Sequence, residues 1–179
     1  GYSILPSGRR VTPVGTTLRI TNDTFGLAVS PDGQRVVALH SGALSLIDAV
    51  NPREALRIPD YAKTFADPFK GATFLGAAFA PDSRIVYLSG GDKGNVVIFN
   101  TEKKEKIDEI SLNQPVNGQQ FEESFTSDLV LNSAKNELLV LDRAHFRMVR
   151  IDLTTKKITT SIPVGRQPFG LSLSPDKKF

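Results

Sequence analysis

The chain has no cysteine, which excludes disulfides and thiolate metal centres. Its two histidines, His40 and His145, stand apart in the sequence without clustered acids. Two such residues do not supply the ligand set of a metal site. No apolar run approaches the roughly 20 residues needed to cross a bilayer, and no secretory leader lies in the given residues. The net charge is only +3, with both signs interspersed. Lys103-Lys104-Glu105-Lys106 lies among Glu102, Asp108 and Glu109, a solvated face and not a nucleic-acid stripe. Hydrolase signatures are missing: there is no Gly-x-Ser-x-Gly, no His-Glu-x-x-His and no phosphate-cradling loop before a helix. The Gly-rich stretch Ser89–Gly94 sits between strand patterns and reads as a hairpin connection. No catalytic residue, metal site or cofactor is assigned.

What the chain does have is a repeat. Phe25-Gly26-Leu27-Ala28-Val29-Ser30-Pro31-Asp32-Gly33 returns as Leu75–Ser83, in eroded form as Ser127–Lys135, and again as Phe169–Lys177. Val29, Phe79, Leu131 and Leu173 are spaced by 50, 52 and 42 residues. A period of this length suits four short strands per unit, as in a propeller blade.

Each unit parses alike. A first strand of small and apolar residues (Phe25–Val29, Leu75–Phe79, Asp128–Leu131, Phe169–Leu173) is followed by a turn. Ser30-Pro31-Asp32-Gly33 suits a type I turn, because Pro sets φ and Asp bonds nearby backbone. The second strand (Val36–Leu39, Ile85–Leu88, Leu138–Leu141) is almost wholly apolar, so both its faces are buried. The third (Leu44–Ile47, Val96–Phe99, Met148–Ile151) ends beside Asp48, Asn100 and Asp152, natural turn starters. The fourth (Lys104–Leu112, Lys156–Ile162) is charged, as suits an outer edge. Tyr2–Leu5, Arg10–Thr12 and Thr17–Ile20 form short strand patterns before the first unit.

The expected fold is therefore all-β: a β-propeller of four-stranded antiparallel blades, with about three and a half blades in this chain. The expected division is N-terminal strands at 1–24, blades at 25–74, 75–124 and 125–168, and the start of another at 169–179. Rings close with roughly 4–8 blades. The expectation is thus a part of a seven-bladed ring, completed by further blades or another chain.

The repeats resemble the bacterial YVTN-repeat β-propeller family. The residues that carry the resemblance are Phe25–Gly33, Val86-Tyr87-Leu88-Ser89-Gly90-Gly91, Asn95-Val96-Val97-Ile98-Phe99-Asn100 and Pro168–Asp176. Leu5-Pro6-Ser7-Gly8-Arg9-Arg10-Val11-Thr12-Pro13 is similar to a narrower group, in which a C-terminal phosphoesterase domain of the alkaline-phosphatase type follows the propeller. That resemblance implies a periplasmic or cell-surface bacterial protein, with any phosphoesterase domain beyond Phe179.

Function in a propeller concentrates on the loops that rigid blades present together. Connections between blades share one face with those joining second to third strands. On that face the candidates for ligand binding are Tyr61, Lys63, Phe65, Asp67, Phe69 and Lys70 in the longest connection, then Asp142, Arg143, His145 and Arg166. Aromatics with mixed charges suit a protein, peptide or glycan partner. The same aromatics, with Phe74, could instead pin the long loop to the blades. The two function classes are a non-catalytic binding module of a larger secreted protein and, alternatively, the propeller part of a hydrolase, either lactonase-like or fused to a phosphoesterase.

Overall fold

A computed structural model of the chain describes residues 3–12, 14–15, 17–60, 67–70 and 72–176. Its elements are all strands: β1 (Ser3–Ile4), β2 (Arg10–Val11), β3 (Gly26–Val29), β4 (Arg35–His40), β5 (Ala43–Asp48), β6 (Ala55–Ile58), β7 (Ala77–Phe79), β8 (Ile85–Ser89), β9 (Asn95–Asn100), β10 (Glu105–Ser111), β11 (Thr126–Asn132), β12 (Glu137–Asp142), β13 (Arg147–Asp152) and β14 (Lys157–Pro163). Apart from the β1-β2 hairpin they form three four-stranded sheets, each in sequence order: β3-β4-β5-β6, β7-β8-β9-β10 and β11-β12-β13-β14. All pairings are antiparallel. These are propeller blades.

The apolar runs have two faces to fill. In β9, Val97 and Phe99 pack into a core shared with Val37, Leu39 and Leu44 of the first blade. Val96 and Ile98 point the other way, into a core with Leu129, Leu138, Val140 and Val149 of the third. Alternate residues of a strand face opposite sides, so a strand between two blades must be apolar at every step. Burying each Val or Leu in this way is worth about 1.5–3 kcal/mol. The outer strand β10 meets water and carries Glu105, Lys106, Asp108 and Glu109.

The turns follow their residues. Asp32 Oδ1 accepts from Ser30 Oγ at 2.5 Å and from Gln34 N at 2.9 Å, and Gly33 takes φ +69. In the second blade Ser83 occupies this place at φ +60, and its hydroxyl accepts from Asp32 N at 3.0 Å, joining the two turns. The eroded third turn still closes its hairpin, with Asn136 in the left-handed region at φ +51, a conformation Asn tolerates. After the third strands, Asp48, Asn100 and Asp152 each accept backbone N–H bonds through Oδ1.

Two expectations are corrected, and one strand has no counterpart in the sequence reading. Residues 17–20 form no strand; the segment behind them instead lies against β4, with the Asn22 carbonyl bonded to His40 Nδ1 at 2.9 Å. Phe169–Leu173 forms no ladder either among the described residues. It is held by side chains: Leu171 N donates to Asp128 Oδ2 at 2.8 Å, and Ser127 Oγ donates to Pro168 O at 3.1 Å. The fourth strand of the first blade, β6, was not read from the sequence because Ala-Leu-Arg-Ile carries little charge to mark an edge.

Candidate functional site

In all three blades the second strand ends on a buried polar side chain: His40 (2 % exposed), Ser89 (0 %) and Asp142 (0 %). Each holds backbone of the segment entering its own blade. His40 donates to Asn22 O, Ser89 Oγ accepts from Gly76 N at 2.8 Å, and Asp142 Oδ1 accepts from Phe125 N at 3.1 Å. His40 Nε2 meets Ser45 Oγ at 2.8 Å.

Neighbouring blades are tied by threonines. Thr73 Oγ1 bonds the His40 carbonyl, and it lies 3.0 Å from Ala43 O and 3.2 Å from Ala43 N. Thr126 Oγ1 donates to Asn95 O at 2.8 Å. Each connection between blades is thereby sewn to the preceding blade's hairpin between second and third strands. The two loop classes do share one face, here called the upper face.

In the third blade this face carries a charged cluster. Arg147 Nε donates to Asp142 Oδ2 at 2.8 Å, and Nη2 donates to Leu112 O at 3.0 Å. The Arg147 guanidinium carbon lies over the Phe121 ring, 3.4 Å from its centroid, and its Nη1 has no hydrogen-bond partner. His145 Nδ1 donates to Asp142 Oδ2 at 3.0 Å, and its ring meets Phe121 edge-on at 5.2 Å. Burial alone would push the Asp142 carboxyl up. Hydrogen bonds from Arg147, Phe125 N and Ser124, with the Arg147 charge, outweigh it and hold the group below its ordinary value. Ser124 Oγ approaches His145 on Nδ1, at 3.5 Å, the same nitrogen that serves Asp142. A hydrolytic triad needs the serine and the acid on opposite ring nitrogens, so these three are not arranged as one.

Beside this cluster lies a group of phenylalanines from the segments entering successive inner strands. Phe74 is its hub, with centroids 5.4 Å from Phe25, 5.1 Å from Phe125 and 6.0 Å from Phe169. Phe25 is 43 % and Phe169 55 % exposed. Gly91, in the hairpin turn of the second blade, would place a Cβ 3.6 Å from Phe74 and 3.9 Å from Phe125. Arg143 caps the group: its backbone N donates to Phe125 O at 2.8 Å, its Nε to Gln167 Oε1 at 2.7 Å, and its guanidinium carbon sits 5.9 Å from the Phe125 centroid.

The sequence candidates fall into different places. Tyr61, Lys63 and Phe65 lie outside the described residues. Phe69 is corrected: its ring is buried, 5.9 Å from Phe99, and serves the first interblade core. Asp67 Oδ1 accepts from Phe69 N at 2.9 Å and shapes that loop. Lys70 is exposed and reaches Glu109 on β10 at 3.6 Å. Asp142 is sealed from solvent and positions its neighbours; it is not a surface contact. Arg143, His145 and Arg166 have solvent access on the upper face. Sequence reading missed the Phe25–Phe74–Phe125–Phe169 group as a unit. Its signal was an aromatic at the start of each repeat, displaced by a residue or two between copies.

An open cleft of about 1150 Å³ lies elsewhere, on the rim between the first two blades near Arg35, Asp48, Arg57 and Glu102. Arg35 there is matched to Asp32 at 3.6 Å and to Glu102 at 3.3 Å. Among the described residues no three His, Asp or Glu side chains group as metal ligands, and no helix is long and apolar enough to cross a membrane.

Comparison with known proteins supports the architecture. The chain is similar to Kuenenia stuttgartiensis hydrazine synthase (TM-score 0.66, 17 % identity, 93 % of this chain and 44 % of that one). It is also similar to the WD40 repeats of RRP9 (TM-score 0.62, 13 % identity, 84 % and 41 %) and to U3-55K (TM-score 0.62, 12 % identity, 84 % and 42 %). It spans less than half the length of each. At these identities the likeness is one of fold. No protein-family model matches the chain, and no curated protein does.

Proposed function

We propose that the chain is a non-catalytic propeller module that binds a protein partner through its upper face. The observation that carries this reading is the phenylalanine group: large rings left part-exposed at the mouth of the inner strands, on a scaffold locked by buried polar ties. A fold does not determine a function, but part-exposed aromatics on rigid support are the residues that anchor protein interfaces. The hydrolase alternative is less well supported, because Asp142 is engaged by Arg147 and His145. The YVTN-type repeats support a bacterial protein of the periplasm or cell surface, and an intact native mass well above 19.5 kDa would support further blades or a phosphoesterase domain.

The test is co-purification from the source cell with the native protein and with a Phe25→Ser/Phe169→Ser variant whose circular dichroism is unchanged. A partner retained by the native protein and lost by the variant is the expected result. A partner held equally by both, but lost on altering the rim cleft at Glu54 and Arg57, would move the interface to the rim.

A further inference from the structure

The upper face also says what kind of peptide it would take, granted that it is a binding face. Arg143 and Arg147 lie four residues apart but are used differently. Arg147 is consumed internally by Asp142 and the Leu112 carbonyl and is 2 % exposed. Arg143 commits only its Nε, to Gln167, and its terminal nitrogens have no hydrogen-bond acceptor among the described residues. Gln167 itself is held in the left-handed region at φ +55, directly before Pro168-Phe169.

The consequence is an orientation. With Nε bonded to Gln167 and the guanidinium carbon 5.9 Å from the Phe125 centroid, Nη1 and Nη2 are left for a ligand beside the phenylalanine group. A planar fork presented in this way matches the two oxygens of a carboxylate, and holding it in advance lowers the entropy lost on binding. The local carboxylates do not compete for it. Asp142 is taken by Arg147 and His145, and Asp128 accepts from Leu129 N and Leu171 N, each at 2.8 Å. The exposed Arg166 adds a second cation next to Gln167. Aromatic area and uncommitted positive charge thus meet at one spot.

We propose that the upper face takes an extended peptide segment in which a carboxylate, from Asp, Glu or a chain terminus, stands next to a large apolar side chain. The carboxylate pairs with Arg143, and the apolar side chain packs on Phe25, Phe74 and Phe169.

The test is selection from a phage-displayed library of random short peptides on the intact protein, followed by affinity measurements with Arg143→Gln, Arg143→Lys and Phe169→Ser proteins. The expected winners carry an acid within two positions of an aromatic or leucine. Arg143→Gln should weaken them about tenfold, the loss of one charge-assisted pair, and remove their preference over Gln-for-Glu copies. Arg143→Lys should fall between, since it keeps the charge without the fork. Winners that need Phe169, lack acids and bind Arg143→Gln unchanged would overturn this proposal and leave the upper face as a binding surface. Winners indifferent to both positions, in variants whose circular dichroism is unchanged, would overturn both.

Discussion

Arg147 and Asp142 face each other across the ends of β13 and β12 at 2.8 Å, with side chains 3 % and 0 % exposed. Such a pair gives little net stability against an apolar replacement, but its halves cannot be separated cheaply. Arg147→Met leaves the Asp142 carboxylate buried with His145 and should cost about 3–5 kcal/mol. The double variant Arg147→Met/Asp142→Asn should be less destabilised than the sum of the singles. A double-mutant cycle by urea denaturation measures this; strict additivity would mean that the pair is not coupled.

The same carboxylate sets an acid limb. Its folded value lies below the ordinary 3.8 of an aspartate, so the unfolded chain binds the extra proton. The stabilisation is present above that value and is lost as pH falls through the folded one. Asp142→Asn should therefore be less stable than the native chain by a constant amount above about pH 5, and the gap should narrow below pH 3.8. Asp32, lowered chiefly by Ser30, Asp108 by Lys156 and Asp152 by Thr155 remain in both proteins, so the variant keeps an acid limb of its own. Denaturation midpoints across pH check the difference; a gap that widens with acid would reverse the assignment.

The blades were legible because their signals are local. Pro31-Asp32-Gly33, the run from Asn95 to Asn100 and the Asp or Asn closing each third strand encode turns and doubly buried strands at a fixed period. The site was legible only in part. Asp142, Arg143 and His145 could be placed on the correct face by counting strands, but whether an arginine is spent inside or offered outside depends on contacts far apart in sequence. Arg147 reaches Leu112, and Arg143 reaches Gln167. Phe69 and Phe74 are close in sequence and look alike there, yet one is in the core and the other is the hub of the upper face.

The repeat's glycines give a sharper test. At Gly26 a Cβ would lie 1.8 Å from the Leu75 carbonyl oxygen, and at Gly76 2.6 Å from Leu129 N; at Gly170 the nearest atom is Asp128 Oδ2 at 3.9 Å. The first two glycines are needed because the next inner strand passes directly over them. Gly26→Ala and Gly76→Ala force backbone apart and should each cost about 1–3 kcal/mol or more, whereas Gly170→Ala should be nearly neutral in this chain. Thermal melts of the three variants decide it. Equal losses at all three would mean that the motif's glycine serves the strand itself and not the packing of its neighbour.

Ties between blades differ in worth according to burial. Thr73 is 4 % exposed and its hydroxyl serves the His40 and Ala43 backbone. Thr73→Val keeps the shape and strands those carbonyls, at about 1–3 kcal/mol. Lys156 pairs with Asp108 between the second and third blades, but both side chains are exposed to water, and such pairs are worth about 0–1 kcal/mol. Lys156→Ala should therefore shift the urea midpoint little, and that small shift should vanish in high salt, whereas the Thr73→Val loss should be insensitive to salt. If Lys156→Ala instead proved the more damaging, the blades would be held together at their outer rim and not by the buried seam beneath the upper face.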